Sequence, residues 1–177
     1  NFKGITSLKC RLPNKAFSAL KELRMDSLPE LTYLWKGPTK PVWLGNLTSV
    51  EVIWCQKLES IFSLSIARDL VQLQDLTIGY CRVMEEIVSS EGGEHEIAAI
   101  ATDKIEFPKL KILDLQSLQS FIDICKAMNA IELPQLSSLR LWKMPKLKRL
   151  SPASESESYS ATIIHPLFNS KVCISYF

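Results

Sequence analysis

Histidine is almost missing from this chain of 177 residues, with only His95 and His165 present. A Cys–His hydrolase needs its base held within hydrogen-bond reach of the thiol, and two isolated histidines give no such arrangement, so no enzyme is expected. Cysteine is sparse and unpaired: there are five, an odd number, and no CxxC occurs, which argues against a disulfide framework or a zinc site. A surplus of one charge is lacking too. Twenty-one basic and 19 acidic residues give a net charge of +2, too balanced for a nucleic-acid or membrane-surface partner. No apolar run approaches the roughly 18 residues of a bilayer span. There is no GxxxxGK[ST], so these residues should bind no nucleotide, and no EF-hand spacing, although Glu85, Glu86, Glu91, Glu94 and Glu96 form an acidic region. No signal peptide is visible and the first residue is Asn1; with the cysteine usage, this leads us to expect a fragment of a longer cytoplasmic protein.

What the chain does have is a repeat. Counting +3, +5, +8, +11 and +14 from Leu20 gives Leu23, Met25, Leu28, Leu31 and Leu34. The same steps from Leu47 give Val50, Val52, Cys55, Leu58 and Ile61, and from Leu73 they give Leu76, Ile78, Cys81, Met84 and Ile87. From Leu110 come Leu113, Leu115, Leu118, Phe121 and Ile124, and from Leu136 come Leu139, Leu141, Met144, Leu147 and Leu150. Three residues before each start stand Phe17, Leu44, Leu70, Phe107 and Leu133. No polar residue interrupts the template, although only 46% of the chain is apolar.

Positions +3 and +5 carry the period of two of a short strand. The later steps have a period of three, which suits tight extended or 3₁₀-like turns. Each repeat is therefore one coil with apolar side chains turned inward, and coils must stack to bury them. The expected fold is α/β: a curved solenoid with a parallel sheet on its concave side and an irregular or short-helical convex side. The starts Leu20, Leu47, Leu73, Leu110 and Leu136 advance by 27, 26, 37 and 26 residues, and three of these fall in the range of leucine-rich repeats. The whole chain, 1–177, reads as one such domain fragment, with regular repeats over 17–150, an acidic surface insertion over 89–106 and an irregular tail over 151–177. Ile5, Leu8 and Cys10 look like a degenerate first coil. Segments 63–70 and 125–130 are candidate convex helices, and 36–41 and 151–160 are expected loops. Without capping repeats the isolated piece is expected to self-associate.

Positions +2, +4 and +6 should face the concave surface. They are Glu22, Arg24 and Asp26; Ser49, Glu51 and Ile53; Asp75, Thr77 and Gly79; Ile112, Asp114 and Gln116; and Ser138, Arg140 and Trp142. At +7, Trp54 and Tyr80 should lie side by side. One reading is a protein contact site centred on Ile53, Trp54, Tyr80 and Trp142, since Trp and Tyr bury much area at low entropic cost. The other is that these aromatics pack under a flanking loop or a following domain. Glu22, Asp26, Glu51, Asp75 and Asp114 make the face acidic, which would suit a basic partner. The sequon Asn46-Leu47-Thr48 reads as accidental, because Leu47 opens a buried strand.

The wording of the coils adds a resemblance. LKELRMDSLPELTYLWKG, LTSVEVIWCQKLESIF, LVQLQDLTIGYCRVMEEIV, FPKLKILDL and LPQLSSLRLWKMPKLKRL resemble the repeats of plant nucleotide-binding, leucine-rich-repeat disease resistance proteins of the coiled-coil class. PLFNSKV looks like the approach to a further repeat, whereas the ending CISYF departs from the expected strand. The resemblance implies an upstream domain that exchanges ADP for ATP, absent from these residues. It also implies repeats that contact that domain to hold it inactive and that recognise a pathogen effector or a guarded host protein. The rival function is a repeat scaffold of another intracellular protein, such as a ubiquitin-ligase substrate adaptor. An extracellular ectodomain would carry LxGxIP phrases, which are lacking.

Overall fold

The computed structural model describes residues 19–34, 44–89, 104–126 and 131–147, together with the backbone of 173–175. In chain order the elements are β1 (Glu22–Asp26), β2 (Ser49–Ile53), β3 (Phe62–Ser63), α1 (Leu64–Asp69), β4 (Asp75–Gly79) and β5 (Val88–Ser89). They continue with β6 (Ile105–Glu106), β7 (Ile112–Gln116), β8 (Ile131–Glu132), β9 (Ser138–Trp142) and β10 (Cys173–Ser175). One parallel six-stranded sheet runs β1-β2-β4-β7-β9-β10. Its register joins like positions of the template, as in Leu23↔Val50 and Ile78↔Leu115.

The template explains each coil. In the second, third and fourth coils, side chains at +3, +5, +8, +11 and +14 are all buried in one continuous core. Leu20, Leu23 and Leu28 in the first coil and Met144 and Leu147 in the last are only partly buried. The period-of-three segments close by turns in which an N–H reaches the carbonyl three residues back. Leu58 N–H donates to Cys55 at 3.2 Å, and Leu47 and Leu73 donate likewise to Leu44 and Leu70. These are the tight turns that the spacing demands.

Two lesser parallel ladders close the other walls. Position +13 bridges Tyr33↔Ser60 and Glu86↔Asp123, and β3 pairs with β5 just beyond it. On the third wall β6 pairs with β8. The helix expected over 63–70 is α1: Ser63 is its N-cap, its hydroxyl accepting from Ile66 N–H, and Leu64, Ile66 and Ala67 face inward. Of the second candidate helix, Cys125 and Lys126 are described and are not helical; the rest lies outside the described residues.

Two expectations need correction. The acidic insertion is narrower than 89–106, because Ser89 pairs within β5 and Ile105 and Glu106 form β6; residues 90–103 lie outside the described residues. The ending CISYF does not break the pattern, because Cys173–Ser175 pairs in register with β9, setting Ile174 opposite Leu139. This strand left little sign in the sequence, because Lys171, three residues before Ile174, is not leucine. The loops expected at 36–41 and 151–160 and the degenerate coil at Ile5, Leu8 and Cys10 lie outside the described residues.

Candidate protein-contact surface

The surface begins with a backbone feature. Strand alternation would carry +7 inward after +3 and +5, yet +8 is the residue that turns in. At +7 the chain takes a left-handed conformation in every described coil: Ser27, Trp54, Tyr80, Ser117 and Lys143 have φ between 52° and 59°. The left-handed turn keeps the +7 side chain outside and swings +8 into the core. Each of the first four +7 N–H groups donates to the +6 carbonyl of the next coil, as Trp54 does to Gly79 at 3.1 Å and Tyr80 to Gln116 at 2.9 Å.

That geometry brings two predicted residues together. The Trp54 and Tyr80 rings stack with centroids 4.2 Å apart and planes 10° from parallel, a close, near-parallel aromatic pair. Trp54 stays 47% exposed, and the Gln56 amide donates to the Tyr80 carbonyl at 2.9 Å. Ile53 sits beside this pair because Gly79 leaves room for it: a Cβ on Gly79 would lie 3.1 Å from Ile53 Cδ1. Trp142 is not part of the cluster. It stands at +6 on β9, two strands beyond Gly79, with the Lys143 ammonium 4.5 Å from its ring centroid.

The charged row at +4 is largely self-neutralised. Arg24 makes a two-point contact with Glu51, Nε to Oε2 at 3.0 Å and Nη2 to Oε1 at 3.3 Å. Arg140 donates to Asp114 at 2.6 Å, and the Gln116 amide also donates to that carboxylate. Asp114 was expected on the open face, but this lid leaves it buried; Gly79 is buried as well. Thr77 lies between the two pairs, half-buried. Ser49, Asp75 and Ser138 are half-buried at +2, where Glu22 and Ile112 are exposed. The acidic character expected of the face thus narrows to Glu22, Asp26 and Asp75.

Sequence reading missed a second concavity on the flank, a groove of about 570 Å³ lined by Tyr33, Lys57, Glu59, Glu85, Glu86 and Lys126 among others. Tyr33 donates to Glu59 at 2.7 Å, and Lys126 lies between Glu85 at 2.8 Å and Glu86 at 3.7 Å. Glu85 and Glu86 are therefore paired with a lysine. Glu91, Glu94 and Glu96 lie outside the described residues. The groove's lining comes from steps +10 to +16 of neighbouring coils, side chains that meet only once the coils stack.

Cys55 and Cys81 occupy successive +8 steps and are fully buried, with free thiols. Contact with Cys55 and burial both push the Cys81 thiol far above its ordinary range. Among the described residues no group of three or more His, Cys, Asp or Glu side chains could hold a metal ion. No described helix is long and apolar enough to cross a membrane.

Stacked single-strand coils, a parallel concave sheet and a core of leucine-like steps define a leucine-rich-repeat solenoid, an architecture that presents an extended concave binding surface. Residues 3–82 match the family described as plant disease resistance protein RPS2-like, leucine-rich repeats, so the coils within that span are similar to leucine-rich repeats of the plant disease resistance type. The later coils continue the same sheet and core. No curated protein and no solved structure matches the chain.

Proposed function

We propose that this chain is the recognition and autoinhibitory repeat region of an intracellular, cytoplasmic plant immune receptor. Its concave face reads a pathogen effector or a guarded host protein, and the solenoid also contacts the receptor's own nucleotide-binding domain. ADP or ATP belongs to that other domain. The observation that carries the reading is the exposed Trp54–Tyr80 stack on the sheet edge, within coils that match the disease resistance family. Isolated exposed aromatics are common, but a rigid stacked pair is the kind of anchor that dominates protein interfaces. The contact surface comprises Glu22, Arg24, Asp26, Ser49, Glu51, Ile53, Trp54, Asp75, Thr77, Tyr80, Gln116, Arg140 and Trp142, with Trp54 and Tyr80 as anchors and Asp114 beneath Arg140.

The test is made in the full-length receptor expressed in leaf tissue. Trp54→Ala and Tyr80→Ala should abolish the effector-triggered response at unchanged receptor level, or release it without effector if the stack holds the inactive state. A normal, effector-dependent response in both variants overturns the reading.

A further inference from the structure

The Trp54–Tyr80 stack ends one coil from Ser27 and from Asp26, a carboxylate with no ion pair among the described residues. The two rings sit on successive coils, 4.2 Å apart and nearly parallel, so the stacking direction follows the solenoid axis, along which strands lie about 4.8 Å apart. One coil earlier the +7 residue is Ser27, which carries no ring. The Trp54 face turned toward that coil therefore has no ring stacked on it among the described residues, and only the small Ser27 side chain stands at the matching step.

Asp26 adjoins this step. It is in register with Ile53, the residue before Trp54. Its carboxylate accepts the Ser27 hydroxyl at 2.9 Å and makes no ion pair among the described residues. Two cations nearby are engaged elsewhere, Arg24 by Glu51 and Lys57 by Glu30 at 2.7 Å. At the other end of the stack the matching residues are neutral, Gln116 and Ser117. The Trp54 end is thus the charged one.

We propose that the Trp54 face over this step is a slot for an arginine side chain of the protein partner, its guanidinium continuing the stack on Trp54 and pairing with Asp26. The proposal rests on the protein-recognition reading of this face and names the chemistry it selects. Tryptophan is the best ring for a cation, and a planar guanidinium can lie on it while offering N–H groups to a carboxylate at its edge. A lysine supplies the charge without the plane. The site is also fixed in advance: both anchors have tied left-handed backbones, and Gln56 holds the Tyr80 carbonyl. The chain already makes one contact of this type, Lys143 over Trp142.

The experiment follows the Trp54 indole N–H signal of the full chain by NMR, assigned with Trp54→Phe. Acetyl-arginine-N-methylamide is titrated against acetyl-citrulline-N-methylamide, its neutral isostere. A saturable millimolar shift is expected for the arginine probe, with binding roughly three- to tenfold weaker for citrulline. Asp26→Asn should bring arginine down to the citrulline level, while Glu22→Gln should change it little. Equal binding of the two probes, indifference to Asp26→Asn, or shifts confined to Trp142 overturns the slot. Such a failure leaves the recognition reading standing if Trp54→Ala still silences the receptor. Arginine binding combined with a normal Trp54→Ala receptor would instead sink the recognition reading and keep the slot.

Discussion

Arg140 closes over Asp114 across adjacent strands at 2.6 Å, leaving the carboxylate side chain 8% exposed while the arginine stays 59% exposed. The Arg24–Glu51 pair occupies the same step of the template, but its side chains are 73% and 34% exposed. Burial decides which pair matters for stability. Removing Arg140 leaves Asp114 with the Gln116 amide as its remaining side-chain donor. Arg140→Ala should lower unfolding stability by about 1–2 kcal/mol, less than a fully buried pair because the arginine is mostly solvated. Arg24→Ala should cost under about 0.5 kcal/mol. Urea unfolding of both variants measures the contrast, and equal losses would refute it.

The core should be graded by coil. Phe121, at +11 of the fourth coil, is fully buried, and Phe121→Ala should cost about 3–5 kcal/mol. Leu28, at +8 of the first coil, only packs against the core edge. Leu28→Ala should then lose about 1–2 kcal/mol, since part of that side chain never leaves water. Chemical unfolding of the two variants tests the gradient; a larger loss at Leu28 would contradict it.

How far the sequence reaches can be judged from the same positions. Leucine-like spacing announced the coils, the register of β1 to β9 and the inward cysteines, because burial imposes a period on residue type. The Trp54–Tyr80 stack followed from equal template steps. Besides β10 and the flank groove, three things stayed hidden. The left-handed +7 residue is never Gly, Asn or Asp here, so residue type gave no warning; the only trace was the stride changing from two to three after +5. Asp114 looked like surface because its cover, Arg140, lies 26 residues away. Trp142 was grouped with the other aromatics, although its +6 step and the intervening coil keep it apart.

The left-handed row makes its own prediction. A β-substituted residue at positive φ is held against a steric preference of roughly 1 kcal/mol. Ser117 makes no stack there, and its backbone N–H donates to the Trp142 carbonyl at 2.7 Å. Ser117→Gly should therefore raise stability by about 0.5–1 kcal/mol, and Ser117→Val should lower it by at least as much. Trp54→Gly relieves the same strain but removes the ring stack, so no gain is expected. Thermal unfolding of the three variants decides; stabilisation by Ser117→Val would contradict the role assigned to this turn.

On the flank, Glu85 and Glu86 share Lys126 yet respond to pH in opposite senses. Hydrogen bonding and charge from Lys126 lower the Glu85 carboxyl. Burial raises Glu86, although it accepts the Lys126 backbone N–H at 2.9 Å. A raised carboxyl binds its proton more readily in the folded chain, so its contribution favours folding at low pH. That contribution is lost as pH rises from the ordinary glutamate range through the folded value. For the lowered Glu85 the sign reverses: its contribution is present above the ordinary range and lost as pH falls through the folded value. Glu86→Gln keeps an acceptor for the Lys126 N–H but cannot ionise. Its stability relative to the parent should therefore climb as pH is raised above the ordinary glutamate range, then level off. Glu85→Gln should be the weaker protein at neutral pH, with the gap closing on acidification. Urea midpoints between pH 3 and pH 7 follow both differences. A Glu86→Gln advantage that shrinks with rising pH would mean that Lys126, not burial, governs that carboxylate.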